Sequence, residues 1–223
     1  MCFSATASFI VGGSLVVVGV ATLKKVANGD HFHSRLPYAS IPLLFGIQQI
    51  VEGLLWVSMT QDMAQLKTAM TYLFTFFSHM LWPVLVPFAI ARMEAAAPIR
   101  AWRKNTMWGF RVVGVVVAML LLELVATQPL TAVVDQHIIY VTPFFYDWPM
   151  MVLYIAATCM VAFFSTHRLV QLFGLTVLAF FFVSWWFYTE ALFSVWCFFA
   201  AMISMVIYVH FRRANNEVSR AVS

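Results

Sequence analysis

Residues 169–210 read LVQLFGLTVLAFFFVSWWFYTEALFSVWCFFAAMISMVIYVH, and how often this run crosses a membrane decides the fold. A helix needs about 20 largely apolar residues, rising about 1.5 Å each, to cross roughly 30 Å of hydrocarbon. The run is twice that length and holds a single carboxylate, Glu190. Arg168 precedes it and Arg212-Arg213 follow it. Short basic flanks stay on the cytoplasmic side. Both ends therefore belong on one side, and the run crosses twice, as helices over 169–187 and 190–210 with a tight turn near Tyr188-Thr189-Glu190.

The same rule applied outward from this run gives five further spans. They cover about 4–23, 39–59, 66–90, 108–127 and 149–164, the first closed by Lys24-Lys25 and the last by His167-Arg168. Asn28-Gly29-Asp30 marks a turn after the first span, and Arg92, Arg100, Arg103, Lys104 and Arg111 form a basic stretch from the end of the third span to the start of the fourth. The expected fold is all-α: a seven-transmembrane helix bundle, a single domain over 1–223, amino terminus outside and carboxyl terminus cytoplasmic. That arrangement puts every Lys and Arg of the 13 inside except Lys67. Of the acids, Glu52, Asp62, Glu123, Asp135, Asp147 and Glu190 fall toward the outer side.

Composition excludes the soluble classes. The chain is 63% hydrophobic and 10% charged, against roughly 25% charged in soluble domains. The net charge of +4 comes from residues at span ends, which orient a protein in a bilayer; no basic surface interleaved with aromatics is present for nucleic acid. The lipid bilayer is thus the expected partner. The three cysteines, Cys2, Cys159 and Cys197, form no CxxC pair, so neither a disulfide framework nor a zinc knuckle is expected. The first span has its basic residues after the apolar run, the reverse of a secretory signal, and is read as a retained helix. Ala5, Gly12 and Gly19, with Ser8 nearby, give that helix a small-residue groove for close packing.

A charge in hydrocarbon costs roughly 2.5–3.5 kcal/mol on insertion scales, so such a residue normally faces a partner or a wet cavity. In the second span Gln48 and Glu52 are four apart on one face with Gln49 beside them, and Gly46 and Gly53 leave room. Glu52 lies roughly 5 Å outward of the midplane at 1.5 Å per residue. In the third span Ser78 and His79 are central. Pro83 cannot donate to the carbonyl four residues back, that of His79, and Pro87 likewise frees the carbonyl of Pro83. An imidazole beside an unpaired acceptor is suited to metal ligation, proton relay or general-base work. Glu123 in the outer third of the fourth span, and Glu190 opening the seventh, complete the ionisable set. Glu190, Ser194, Cys197 and Ser204 fall along one side of that helix.

Other features have plainer readings. The link from Gln128 to Trp148 carries Asp135, His137, Asp147 and many aromatics, fitting either a segment on the membrane surface or a lid over an outward cavity. His31-Phe32-His33 reads as a solvated cytoplasmic loop. Removal of Met1 before the small Cys2 would leave an amino-terminal cysteine able to chelate a metal or act as a nucleophile.

The opening MCFSATASF (1–9), then PLLFGIQQ (42–49) and EGLLW (52–56), resemble a family of small bacterial polytopic membrane proteins of unknown function. The resemblance covers the whole chain in length and hydropathy. It implies that Cys2, Gln48, Gln49 and Glu52 belong to the family's recognition pattern, and it places the protein as multi-pass in a bacterial inner membrane. It implies no reaction. Retinal proteins need a lysine in the last helix, and none follows Lys104. Thr75-x-x-x-His79 is loosely similar to an element of intramembrane hydrolases related to alkaline ceramidases, but their paired histidines in the last helix are missing.

The expected function is binding or sensing of a metal ion or small ligand in an outward-open polar cavity lined by Gln48, Gln49, Glu52, Ser78, His79, Glu123 and Glu190. Cys2, Glu52 and His79 are the candidate ligands for a divalent metal. The alternatives are an intramembrane metal-dependent hydrolase or redox enzyme, and a proton- or ion-coupled transporter.

Overall fold

In hydrocarbon a chain must satisfy its backbone polar groups internally, and long apolar runs do so as helices. A computed structural model describes residues 4–27, 31–94, 100–135, 137–141 and 148–222, and their side chains except those of Asp135 and 214–222. Helices α1 (Ala5–Ala27), α2 (Phe32–Ala39) and α3 (Ile41–Thr60) come first. Next, α4 (Ala64–Thr75) continues through a π-helical turn, Phe76–Leu81, into α5 (Trp82–Glu94). The long α6 (Ala101–Thr127) leads to a hairpin of β1 (Thr131–Asp135) and β2 (His137–Val141). The remainder is α7 (Trp148–Thr158) with a 3-10 turn Met160–Phe164, then α8 (Arg168–Phe187), α9 (Leu192–Ile203) and α10 (Met205–Val222).

Among the described residues six helical stretches are long and apolar enough to cross a membrane: Ala5–Ala27, Phe32–Thr60, Ala64–Glu94, Ala101–Thr127, Arg168–Phe187 and Leu192–Arg213. The stretch expected as a fifth span is a shorter apolar helix, Trp148–Phe164; it loses its α-helical register at Cys159, where the 3-10 turn begins. The helix expected over 190–210 opens at Leu192, and a turn at Ser204 separates α9 from α10. Asn28-Gly29-Asp30, Cys2 and Asp147 lie outside the described residues.

The small-residue groove on α1 is used against α3. A Cβ on Gly12 would stand 3.0 Å from the Gly46 carbonyl oxygen, and one on Gly19 would stand 2.5 Å from the Leu43 nitrogen. The two backbones touch. With α1 seated on that side of α3, the opposite arc of α3 turns toward the third helical stretch and α9. Lipid-like surface lies elsewhere: Val17 on α1, and Trp108 and Met119 on α6, are exposed.

The hairpin closes one end of the bundle. Its strands pair Thr131 with Val141 through to Asp135 with His137. Ala132, Ile138 and Tyr140 turn inward and are buried with Val51, Leu55, Phe74 and Cys197. Tyr140 stacks on Phe74 with centroids 4.5 Å apart. The link therefore has strand structure that the sequence reading did not expect.

Candidate functional site

Three side chains on the free arc of α3 define the site. Gln48, Gln49 and Glu52 are all fully buried. The Ser194 hydroxyl of α9 donates to Glu52 Oε1 at 2.5 Å, within the roughly 2.5–2.7 Å range of hydroxyl–carboxylate bonds. Gln49 Nε2 donates to Oε2 at 3.3 Å. One turn along, Trp82 Nε1 donates to Gln48 Oε1 at 2.8 Å, and its ring stacks on Phe45 at 3.9 Å between centroids. Cys197, one turn from Ser194, lies beside both Gln48 and Glu52. Two polar atoms of this arc remain unsatisfied. Gln48 Nε2 and Gln49 Oε1 are buried with no hydrogen-bond partner among the described residues.

The third stretch reaches the site through its π-helical turn, a feature frequent where a helix carries function. Here the Trp82 amide donates to the Phe77 carbonyl, five residues back. The next amide in that register would be that of residue 83, which is proline and has none. The orphaned carbonyl is therefore that of Ser78, and Tyr154 of α7 donates its hydroxyl to it. This corrects the expectation that the free acceptor belongs to His79: the extra residue in the turn moves it back by one. The second expected orphan, the Pro83 carbonyl, faces α6. A Cβ on Gly114 would fall 1.9 Å from that oxygen, so glycine is required there.

His79 is buried, and its Nδ1 lies 2.6 Å from Ser78 Oγ. That hydroxyl also stands 3.0 Å from the Phe74 carbonyl. It has one proton to give. If it donates to Phe74, Nδ1 carries the imidazole proton and Nε2 is a base; if it donates to Nδ1, Nε2 carries the proton. The imidazole packs 5.0 Å from the Phe193 ring, next in sequence to the Ser194 that holds Glu52. Glu52 and His79 thus meet neighbouring residues on one turn of α9.

Gln48, Gln49 and Glu52 share one arc of α3, and Ser78 and His79 approach it through Phe193, the residue before Ser194; the other two expected cavity residues lie elsewhere. Glu123 is exposed on α6 and Glu190 is exposed in the turn before α9. The buried face of α6 is Met107, Gly114, Val117, Ala118 and Leu121; at roughly 100° per residue Glu123 sits about 200° from Leu121. The seventh helix begins two residues after Glu190, so that acid is not on the Ser194–Cys197–Ser204 side. Nor is the cavity outward-open at Glu52, which the hairpin and the surrounding helices exclude from solvent. His31, exposed, precedes α2 in a left-handed conformation (φ 66°).

For a metal, the described residues contain no group of three or more His, Cys, Asp or Glu side chains able to hold one. Glu52 and His79 supply two donors at most; the third expected ligand, Cys2, lies outside the described residues. A cavity of about 40 Å³ adjoins the site, lined by Phe45, Trp82, Tyr154, Val177, Trp196 and Cys197 among others. A recess of about 400 Å³ lies between the α3–α4 turn and the hairpin, with Asp62, Lys67, Ser58 and Val133 on its walls.

At the opposite end a second carboxylate, which sequence reasoning passed over, is buried. Glu94 Oε1 accepts from Ser165 Oγ at 2.5 Å and from the Thr166 amide at 2.8 Å. Its Oε2 accepts from Thr166 Oγ1 at 2.8 Å. His167 Nε2 is 3.9 Å from Oε1. The acid lies just before the amino end of α8, where a negative charge is also favoured by the helix dipole.

A family of unknown function, DUF6629, matches residues 1–222. The chain belongs to that family. No curated protein and no solved structure matches it. The geometry of the buried polar clusters is therefore the ground for any functional reading, together with the six spanning-length helices of a multi-pass membrane protein.

Proposed function

We propose that this DUF6629 protein binds a small ligand or metal ion inside the membrane, at the junction of α3, the third helical stretch and α9, with Glu52 as anchor. Gln48, Gln49, Ser78 and His79 are the other binding residues, and Cys2 is the donor available from the amino-terminal segment. The observation that carries this reading is the mismatch of polar groups around Glu52. An amide donor and an amide acceptor are buried there without partners among the described residues, each at a cost of about 1–3 kcal/mol. A ligand with complementary groups would recover that energy.

The site is occluded, so access requires movement of the hairpin or of the π-helical turn. In this reading the protein crosses a bacterial inner membrane seven times, the amino terminus and hairpin outside. Trp148–Phe164 supplies the extra crossing: its α-helical and 3-10 parts together span roughly 26 Å, close to the hydrocarbon thickness. Topology reporters inserted at 136 and fused at the carboxyl end should report opposite sides; the same side for both contradicts seven crossings.

The binding reading is tested by elemental analysis and small-molecule mass spectrometry of purified protein. Wild type should carry one ion or molecule in stoichiometric amount, absent from Glu52→Gln and diminished in His79→Ala. Identical contents in wild type and both variants would overturn it.

A further inference from the structure

The exposed positions of α5 are Val84, Phe88 and Arg92, four residues apart, so one apolar stripe leads along the helix to a cation. Helix α6 runs beside it, with Gly114 against the Pro83 carbonyl and Pro87. Arg111, one turn from Gly114, stands at the level of Phe88, and its guanidinium carbon lies 5.6 Å from the Phe88 ring centroid. The Arg92 guanidinium carbon lies 5.7 Å from the same centroid. Two cations from two helices thus share one aromatic ring, and each lies within reach of the other's field. On α6, Trp108, Arg111 and Val115 fall within about 60° of one another at roughly 100° per residue, and Trp108 and Val115 are exposed. The stripe of α5 and this side of α6 form an open groove with both arginines at one end.

No acid answers the pair. Among the described residues neither arginine has an ion-pair partner. Arg92 donates one N–H to the His33 carbonyl at 3.2 Å. Arg111 makes no hydrogen bond among the described residues, and its Nε is buried. Arg111 also belongs to a helix of membrane-spanning length, where an unpaired charge is costly. The like charge of Arg92 adds to that cost, and an anion would relieve both terms.

We propose that this α5–α6 groove binds an anionic phospholipid, its phosphate held by Arg92 and Arg111 and an acyl chain lying along Phe88, Val84 and Val115. The Glu52 site plays no part in it. Three features select this partner. Guanidinium groups present their N–H donors in a fork that matches phosphate oxygens, and basic pockets between membrane helices are where anionic headgroups bind. Two positive charges without a local acid favour a headgroup of net negative charge over a zwitterionic one, whose ammonium group they would repel. The apolar stripe running on from the cations gives a chain its own surface, which a free phosphate ion would leave unused. Trp108 stands exposed beside the cations, as tryptophans at headgroup level do.

The test uses the full-length protein, delipidated in a nonionic detergent, with native mass spectrometry following the titration of phosphatidylglycerol or phosphatidylcholine. Wild type should bind phosphatidylglycerol saturably and at least tenfold more tightly than phosphatidylcholine. Affinity for phosphatidylglycerol should fall at least tenfold in Arg92→Gln and in Arg111→Gln. It should hold within twofold in Lys24→Gln, which removes the same charge from an exposed position on α1. An excess of inorganic phosphate should leave the lipid bound. Arg92→Gln, at an exposed position, carries the test should Arg111→Gln fail to fold. Equal affinity for the two lipids, unchanged binding in Arg92→Gln, an equal loss in Lys24→Gln, or displacement of the lipid by inorganic phosphate would each overturn the proposal.

Discussion

Glu52 and Glu94 are both fully buried carboxylates, near opposite ends of the same helical pair, and they are treated in opposite ways. Around Glu94 the polar groups match: three donors from Ser165 and Thr166 occupy its two oxygens. The Ser165 carbonyl is in turn satisfied by Gln171 Nε2 at 2.7 Å. Around Glu52 the side chains are just as buried, but Gln48 Nε2 and Gln49 Oε1 have no hydrogen-bond partner among the described residues. A buried polar group left over costs free energy, whereas a matched network rigidifies. The contrast assigns the roles. Glu94 fastens the end of α5 to the start of α8, and the two glutamines beside Glu52 each keep a polar atom with no partner among the described residues. Burial alone does not separate a structural acid from a functional one; the balance of donors and acceptors around it does.

The largest expected effect tests what both clusters share, the seating of the third helical stretch. Gly114→Ala places a methyl group against the Pro83 carbonyl and should cost about 3 kcal/mol, the upper part of the range for overpacking, read as a fall in the melting midpoint in detergent. An unaffected midpoint would mean that α6 is not held against the proline segment. Next, Glu94→Ala strips the acceptor from three donors and should cost about 2–3 kcal/mol. If it is neutral in stability and changes ligand content instead, the two carboxylates have been assigned the wrong way round. Tyr154→Phe leaves the Ser78 carbonyl without its donor and should cost about 1–2 kcal/mol. Pairing it with Ser78→Ala, which spares the carbonyl, separates the backbone contact from the hydroxyl. Glu52→Gln should change stability by less than about 1 kcal/mol in the absence of ligand, because the amide keeps an acceptor for Ser194 and loses the buried charge. Last, Glu123→Gln and Glu190→Gln, at exposed positions, should each stay within about 0.5 kcal/mol.

The long apolar helices were legible from hydropathy, because hydrocarbon thickness sets their length. So was the grouping of Gln48, Gln49 and Glu52, which helical periodicity alone puts on one arc. Periodicity also held the signal that Glu123 faces away, since Gly114, Val117, Ala118 and Leu121 mark the packed side of α6; the sequence reading weighed depth in the span and overlooked direction. The hairpin was missed because its aromatics read as a membrane-surface segment, although Val133-Val134 and Ile138-Ile139 flank its turn with β-branched pairs. Pro83 announced a defect at His79, but the π register that shifts the orphan to Ser78, and the Tyr154 hydroxyl that meets it, depend on packing from a distant helix. Glu94 was hidden for a similar reason. Two residues from Arg92, at the end of an apolar run, it resembles a loop charge, and its partners lie more than 70 residues away.

The assignment of roles to the two carboxylates is tested most directly by measuring bound-ligand stoichiometry and melting midpoint side by side in wild type, Glu52→Gln and Glu94→Gln. The ligand should be present in wild type and Glu94→Gln and absent from Glu52→Gln, with Glu94→Gln the least stable of the three. Loss of ligand from Glu94→Gln with retention in Glu52→Gln, or the same ligand content in all three, would contradict it.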